Sequence, residues 1–231
     1  VKFTLSGHDY SAAVNASGNW SVAVAGADLA KETNIHATLV AHDTAGNTNN
    51  VSADHGYSVD LKGPDGTTTT LTINVVAGDD IVNLDESKAD QTCGGKSTGE
   101  NKVGDIVSFK LDSTTNSAAV AANGDWSVAV PGSKLVADTG HKIDATLAAH
   151  DAAGNVGDIT ASHAYSVDIV PPSPSTTTLT INVVAGDDIV NLDESKVNQT
   201  ISGKATGEFK VGDIVSFKLD GTTYSAAVAA N

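Results

Sequence analysis

The chain repeats itself with a period of 108 residues, and this repeat limits the possible folds more than any other feature of the sequence. Residues 68–88 read TTTLTINVVAGDDIVNLDESK, and residues 176–196 read the same. HDTAGN at 42–47 returns as HDAAGN at 150–155, and YSVD at 57–60 returns at 165–168. A period of this size matches a whole domain and is longer than the period of a solenoid repeat. The sequence therefore predicts a tandem array of one domain type.

The repeat divides the 231 residues into one complete unit and two partial ones. Unit 1 (residues 1–61) is the C-terminal part of a repeat, unit 2 (68–169) is complete, and unit 3 (176–231) is an N-terminal part. Joint 1 (62–67) and joint 2 (170–175) are the linkers between them, and the prolines of PPSPS at 171–175 favour an extended, semi-rigid spacer. Each partial unit is expected to leave an apolar face uncovered, to be covered either within a longer array or by a neighbouring molecule.

Apolar and polar residues alternate in unit 2 with the period of a half-buried β-strand. The alternation is clear in segments that begin near residues 71, 107, 126, 143 and 165, and Gly, Asn and Asp mark turns between them. About seven strands, with no competing helical pattern, predict an all-β architecture of Ig-like β-sandwich domains arranged end to end. Trp20 and Trp126 fall on the apolar strand face, so both are predicted to lie in the core. Cys93 aligns with Ile201 and is predicted to be a buried small hydrophobic residue.

The charge of the chain excludes several classes of partner. Twenty-eight acidic residues stand against 13 lysines and no arginine, which gives a formal net charge of −15. Nucleic acid and direct insertion into a membrane are not expected, because phosphate groups and anionic lipids attract basic surfaces. No apolar run reaches the roughly 18–20 residues that a membrane span needs. A single cysteine excludes a disulfide framework.

The acidic residues are concentrated in loops. If successive strands run up and down, residues 99–105, 123–125 and 151–158 lie at one end of unit 2, the N-terminal pole. Residues 77–87, 113–116 and 132–140 then lie with Asp168 at the other end, the C-terminal pole. Clustered carboxylates repel one another unless a cation lies among them. The candidate cation ligands are Asp43, Asn47, Asp60, Asp79, Asp80, Asn83, Asp85, Glu86, Asp105, Asp125, Asp151, Asn155, Asp158, Asp168, Asp187, Asp188, Asn191, Asp193, Glu194 and Asp213.

The cation predicted for these loops is Ca²⁺. It takes six to eight hard oxygen ligands from carboxylates, Asn side chains and backbone carbonyls, whereas a softer metal needs His and Cys partners that the loops lack. The ligand spacing differs from that of an EF-hand and from the glycine-rich nonapeptide of calcium β-rolls. At ten times the Kd, each occupied site adds roughly 1.4 kcal/mol to the stability of the fold. An ion bound at a joint would also fix the angle between units.

The order and spacing of the motifs resemble a known family over the whole chain. TLTINVVAGDDIVNLDES, VGDIVSFKLDG, ANGDWSVAV, HDAAGN and YSVD are similar to the extender repeats of giant bacterial RTX adhesins. The resemblance implies a secreted protein of the bacterial cell surface, anchored in the outer membrane through another region, that holds ligand-binding domains away from the cell. It also implies Ca²⁺ within and between Ig-like repeats, with neighbouring repeats of the same chain as partners. Joint 2 departs from the pattern because PPSPS carries no acidic residue.

Other functions are less well supported by the residues. Paired carboxylates suit a glycosidase, but every acidic cluster recurs, which favours a structural role, so the chain is not expected to be an enzyme. His42 and His55 recur as His150 and His163 without a Cys or His at metal spacing, which disfavours a zinc site. The alternative function is a repeat that itself binds a sugar, ice or another cell surface. The threonine run at 67–70 suits ice, but it occurs once per repeat, and sugar sites usually use exposed aromatic rings.

Overall fold

A computed structural model describes residues 1–230. Unit 2 forms a two-layer β-sandwich whose sheets have the strand orders β10-β7-β5 and β12-β11-β8-β9, and β13 pairs with β6 in parallel. Its elements are β5 (Thr69–Ile73), β6 (Ile81–Asn83), β7 (Asp90–Gly99), β8 (Ile106–Leu111), β9 (Thr114–Ala119), β10 (Asp125–Pro131), α2 (Gly132–Ala137), β11 (Lys142–His150), β12 (Val156–Ala164) and β13 (Ser166–Asp168), with a short 3₁₀ helix at Glu86–Lys88.

The core of unit 2 follows from the alternation of its strands. Phe109, Trp126 and Leu147 are all 3% exposed or less, and they come from β8, β10 and β11 in the two facing sheets. Each buried side chain of this kind stabilises the fold by about 1.5–3 kcal/mol, so the alternate positions hold the two sheets together. The prediction of an all-β sandwich is confirmed. Cys93 is also buried, as predicted, and burial raises the pKa of its thiol to about 11.

The first predicted strand is shorter than the alternation suggested. It ends at Ile73, because the chain then turns through Ala77 and Asp80, both with positive φ, and packs Val76 into the core. The Asp80 side chain accepts a hydrogen bond from the Val76 N–H at 2.8 Å and stabilises this turn. The first strand is thus divided into β5 and β6, and the last into β12 and β13, which raises the number of strands to nine.

Unit 1 forms a single four-stranded sheet with the order β2-β1-β3-β4, which corresponds to β9-β8-β11-β12 of unit 2. Residues 19–25 correspond to β10 but form no strand, because no counterpart of β7 lies beside them in residues 1–61. The prediction that Trp20 lies in the core is therefore wrong: its exposed fraction is 44%, against 3% for Trp126. The elements of unit 1 are β1 (Lys2–Leu5), β2 (His8–Ser11), α1 (Gly26–Leu29), β3 (Asn34–His42) and β4 (Thr48–Gly56).

Unit 3 consists of two antiparallel strand pairs, β14-β15 and β16-β17. A cavity of about 370 Å³ between them is lined by Leu179, Phe209, Phe217 and neighbouring apolar residues, and Leu179 remains 56% exposed. Within residues 1–230, no helix has the length and apolar character needed to cross a membrane. The elements of unit 3 are β14 (Thr178–Ile181), β15 (Gly203–Thr206), β16 (Ile214–Leu219), β17 (Thr222–Ala227) and a 3₁₀ helix at Glu194–Lys196.

Candidate metal centres and the first joint

The acidic loops of unit 2 lie at its two ends, as the up-and-down strand order predicts. At the N-terminal pole, the His150 N–H donates to the Asp105 carboxylate at 2.9 Å. At the C-terminal pole, the Ser166 N–H donates to the Asp80 carbonyl at 2.8 Å. The C-terminal pole adjoins joint 2, since β13 ends at Asp168.

Asp151 organises the turn between β11 and β12. Its buried carboxylate accepts hydrogen bonds from the N–H groups of Gly154 and Asn155 at 2.7 and 2.8 Å, and from the Asn155 side chain at 2.8 Å. These bonds, led by the one from the Asn155 side chain, lower the pKa of Asp151. Asp43 and Asn47 make the same turn in unit 1. The recurring HDxAGN motif is therefore first of all a turn motif.

Asp105 is a second buried carboxylate of the N-terminal pole, with three hydrogen-bonded partner groups. It is 6% exposed, and it accepts hydrogen bonds from the Lys102 and His150 N–H groups at 2.8 and 2.9 Å. His150 Nδ1 lies 2.7 Å from its other oxygen. Burial by itself raises the pKa of Asp105, but the hydrogen bonds outweigh it and the net effect lowers the pKa. This histidine partner was not predicted, although the recurrence of His42 and His150 was a signal for it.

The acidic loop of the C-terminal pole is ordered by its own side chains. Asp80 lies 2.7 Å from His163 Nε2, a second histidine partner that was not predicted, and the bonds from the Val76 N–H and His163 lower the pKa of Asp80. Asn83 and Glu86 form a reciprocal cap: Asn83 Oδ1 accepts from the Glu86 N–H at 3.0 Å, and Glu86 Oε2 accepts from the Asn83 N–H at 2.9 Å. Asp85 is almost fully exposed at the surface of this loop.

The remaining candidate ligands cap backbone groups or lie at the surface. In unit 3 the loop repeats the bonds of unit 2, with side-chain acceptors at Asp187, Asp188, Asn191 and Glu194, while Asp193 is exposed and pairs with Lys196. Single backbone N–H groups donate to the side chains of Asp60, Asp79, Asp168 and Asp213. Asp125 pairs with Lys96 at 3.1 Å, and Asp158 is exposed in β12.

Joint 1 docks onto the N-terminal pole of unit 2. The Asn155 side chain donates to the Asp60 carbonyl at 3.2 Å, which connects the end of unit 1 to the turn that Asp151 organises. Pro64 is buried, and the backbone of joint 1 contacts the backbone at Gly157. Lys62 pairs with Asp65 at 2.7 Å within the joint. Contacts of this kind hold a linker against one domain, whereas a flexible linker stays in solvent.

The described side chains do not converge into a complete metal centre. In residues 1–230, no three His, Cys, Asp or Glu side chains lie close enough to hold one metal ion. One pair of oxygens lies at joint 1, where the Asp60 carbonyl and the Asp151 carboxylate both accept from the Asn155 side chain. Carboxylate, amide and backbone oxygens are the ligands that Ca²⁺ prefers. The Asp60 carbonyl and the Asp151 carboxylate are oxygens of this kind, whereas the Asn155 nitrogen that bridges them is a hydrogen-bond donor.

Solved structures of bacterial adhesins resemble the whole chain. One, a 1.5-MDa bacterial ice-binding adhesin retained at its host cell surface, superposes with a TM-score of 0.73 at 31% identity, covering 99% of this chain and 71% of that one. A Ca²⁺-stabilised adhesin that helps an Antarctic bacterium reach out and bind ice superposes with a TM-score of 0.63 at 36% identity, and this chain spans 54% of its length. No protein-family model and no curated protein matches the chain.

The fold and the loops define a class of protein: a tandem of related units, of which unit 2 is an Ig-like β-sandwich, with acidic poles and a docked joint. The identity of 31% over 71% of the 1.5-MDa adhesin structure is enough to assign a family within that class. The chain belongs to the Ig-like extender repeats of large bacterial adhesins. The resemblance drawn from the sequence motifs is confirmed.

Proposed function

We propose that the chain is a segment of the extender of a secreted bacterial adhesin, and that its role is mechanical. The observation that carries this proposal is the similarity to an ice-binding adhesin over 99% of the chain. The similarity therefore extends over all three units of this chain and not over one domain alone. The docking of joint 1 onto unit 2 supports a role in holding units in a fixed order. The neighbouring repeats of the same chain are its direct partners.

Calcium binding at the poles and joints is part of the proposal. The similar Antarctic protein is described as Ca²⁺-stabilised, and the oxygens at joint 1 suit the same ion. The Asn155 side-chain nitrogen bridges the Asp60 carbonyl and the Asp151 carboxylate, a position where a cation would also be attracted by both oxygens. Asp158 lies on the neighbouring strand and adds negative charge to this region. Calcium at this point would tie unit 1 to unit 2.

The proposed location is the outside of a bacterial cell. The extender would be anchored in the outer membrane through another region of the protein, and it would present ligand-binding domains that lie elsewhere. The net charge of −15 suits an environment with abundant divalent cations. The carboxylates of Asp151 and Asp80 each accept a hydrogen bond from a backbone N–H of their own loop. This use of the carboxylates favours a structural role over catalysis.

The structure gives little support to the alternative that the repeat itself binds ice through its threonine run. Thr69 is buried and donates to the Glu100 carbonyl at 2.9 Å. Thr70 is bonded to the Thr98 hydroxyl at 2.7 Å. Thr69 therefore presents no hydroxyl to the surface, and the exposed Thr70 already bonds a threonine of the neighbouring strand β7. The contacts of Thr69 and Thr70 are therefore explained by strand packing.

Chelation tests the calcium-stiffened extender directly. Removing Ca²⁺ from the 231-residue chain with EDTA should lower the melting temperature by several degrees, since an unfolded chain cannot hold the ions. The maximum dimension from small-angle X-ray scattering should change at the same time, as the joints loosen. Equal melting curves and equal scattering in CaCl₂ and in EDTA would show that calcium has no part in stiffening the chain. Binding of the purified chain to ice or to glycans would instead favour the alternative.

A further inference from the structure

The contact between joint 1 and unit 2 depends on two glycines. A β-carbon added at Gly157 would overlap the carbonyl oxygen of Pro64, and one added at Gly63 would overlap the carbonyl oxygen of Val156. Both obstacles are backbone atoms, which cannot rotate aside as the end of a flexible side chain can. Neither glycine has a positive φ, so glycine is needed here for space and not for backbone conformation.

Joint 1 is also held tightly at both ends. On the side of unit 1, the Tyr57 N–H donates to the Thr33 carbonyl at 2.9 Å. On the side of unit 2, the Asn155 side chain bonds the Asp60 carbonyl, and Pro64 is buried. Two residues, 58 and 59, separate Tyr57 from Asp60. Because so short a tether allows little movement, a docked joint also restrains the position of unit 1.

The repeat shows that these glycines are particular to joint 1. At a distance of 108 residues, Gly63 corresponds to Pro171 of joint 2, and Gly157 corresponds to Asn49 of unit 1. Both replacements carry the β-carbon that the geometry of joint 1 excludes. The backbone contact of joint 1 is therefore not a general feature of the repeat, although the motifs around it are nearly identical.

We propose that Gly63 and Gly157 form a backbone lock, in which joint 1 packs against β12 and positions unit 1 on unit 2. Joint 2 cannot form the same lock, because Pro171 occupies the position of Gly63. The two joints of this chain therefore differ in geometry and stiffness. The purpose of the lock rests on the proposed extender function, but the lock itself is a packing contact and requires no cation.

Distance measurements between spin labels test the lock. Labels on Thr4→Cys and Lys110→Cys, which lie on exposed positions of β1 and β8, report the separation of units 1 and 2. The parent chain should give a narrow distance distribution. Gly63→Ala and Gly157→Ala should each broaden it, since they remove the same contact from opposite sides. Gly66→Ala is the matched control, because its β-carbon would meet no atom within 4 Å, and it should leave the distribution narrow.

Limited digestion with trypsin provides a second measurement that needs no labels. Cleavage after Lys62 requires the joint to leave unit 2, so Gly157→Ala should speed it about tenfold while Gly66→Ala should not. Thermal unfolding of each variant separates undocking from loss of the fold. Narrow distributions and slow cleavage in both lock variants would overturn the proposal. The lock variants can be compared with Gly66→Ala both in CaCl₂ and in EDTA. The test of the lock therefore remains interpretable if the calcium proposal fails.

Discussion

Asp105 and His150 illustrate what single residues contribute to the poles. Both are at acidic loops, and the recurrence of the motifs around them was visible in the sequence. Their pairing at 2.7 Å was not, because Asp105 lies just before β8 and His150 ends β11, and only the tertiary structure brings the two together. The same holds for Asp80 and His163. Sequence spacing identified the carboxylates of the poles, whereas their partners depend on the tertiary structure.

Replacing the buried carboxylate at Asp105 should destabilise unit 2. Asp105→Asn keeps the size of the side chain but removes the carboxylate that accepts three hydrogen bonds. The free energy of unfolding should fall by about 1–3 kcal/mol. Asp125→Asn, at an exposed carboxylate of the same pole, is the control and should change it by less than about 0.5 kcal/mol. Urea unfolding followed by circular dichroism measures both, and equal effects would contradict a special role for Asp105.

The contribution of Asp105 should also depend on pH. Its pKa in the folded chain is lowered, so the unfolded chain binds the proton more tightly. The stabilisation is therefore fully present above the ordinary carboxylate pKa of about 4 and is lost as the pH falls through the lower pKa of the folded state. The difference in unfolding free energy between the parent chain and Asp105→Asn should shrink over that acidic range. A difference that stays constant from pH 6 to the acid limb would argue against the ionised carboxylate as its cause.

At the scale of the strands, the alternation of apolar residues predicted the sandwich. It did not predict which units have a second sheet that covers the apolar face of the first. Val107, Trp126 and Ile143 are buried because two sheets face each other in unit 2. The same motif in unit 1 gives a sheet without a covering layer, so Trp20 is half exposed. Periodicity indicates which side of a strand is apolar, and only the presence of the second sheet decides whether that side is buried.

The two tryptophans of the repeat allow this difference to be measured. Trp126→Ala should cost about 3–5 kcal/mol, the usual loss for removing a large aromatic side chain from a core. Trp20→Ala, the same change at the same position of the repeat, should cost less than about 1 kcal/mol, because much of the side chain already contacts water. Calorimetry of the 231-residue chain gives both values. A large loss for Trp20→Ala would mean that unit 1 has a covering layer in solution.

At the scale of the whole molecule, the charge of −15 has two physical explanations with different consequences. A diffuse acidic surface keeps a chain soluble, and its like charges repel one another. Any dissolved salt screens that repulsion. Discrete oxygen sites at the poles and joints would instead respond to calcium in particular. The carboxylates are concentrated in the loops, and two backbone and side-chain oxygens lie together at joint 1. The second explanation therefore makes a specific prediction.

That prediction compares calcium with an inert salt at equal ionic strength. A few millimolar CaCl₂, above the Kd of about 10⁻⁴–10⁻³ M that is typical of extracellular modules, should raise the melting temperature of the EDTA-treated chain. NaCl at the same ionic strength should raise it much less, since screening at those concentrations acts only weakly on neighbouring charges. MgCl₂ serves as a divalent control, because Mg²⁺ demands a smaller and more regular site. If NaCl restores the melting temperature as fully as CaCl₂ does, the acidic loops act through their summed charge, and the joints are held by backbone packing alone.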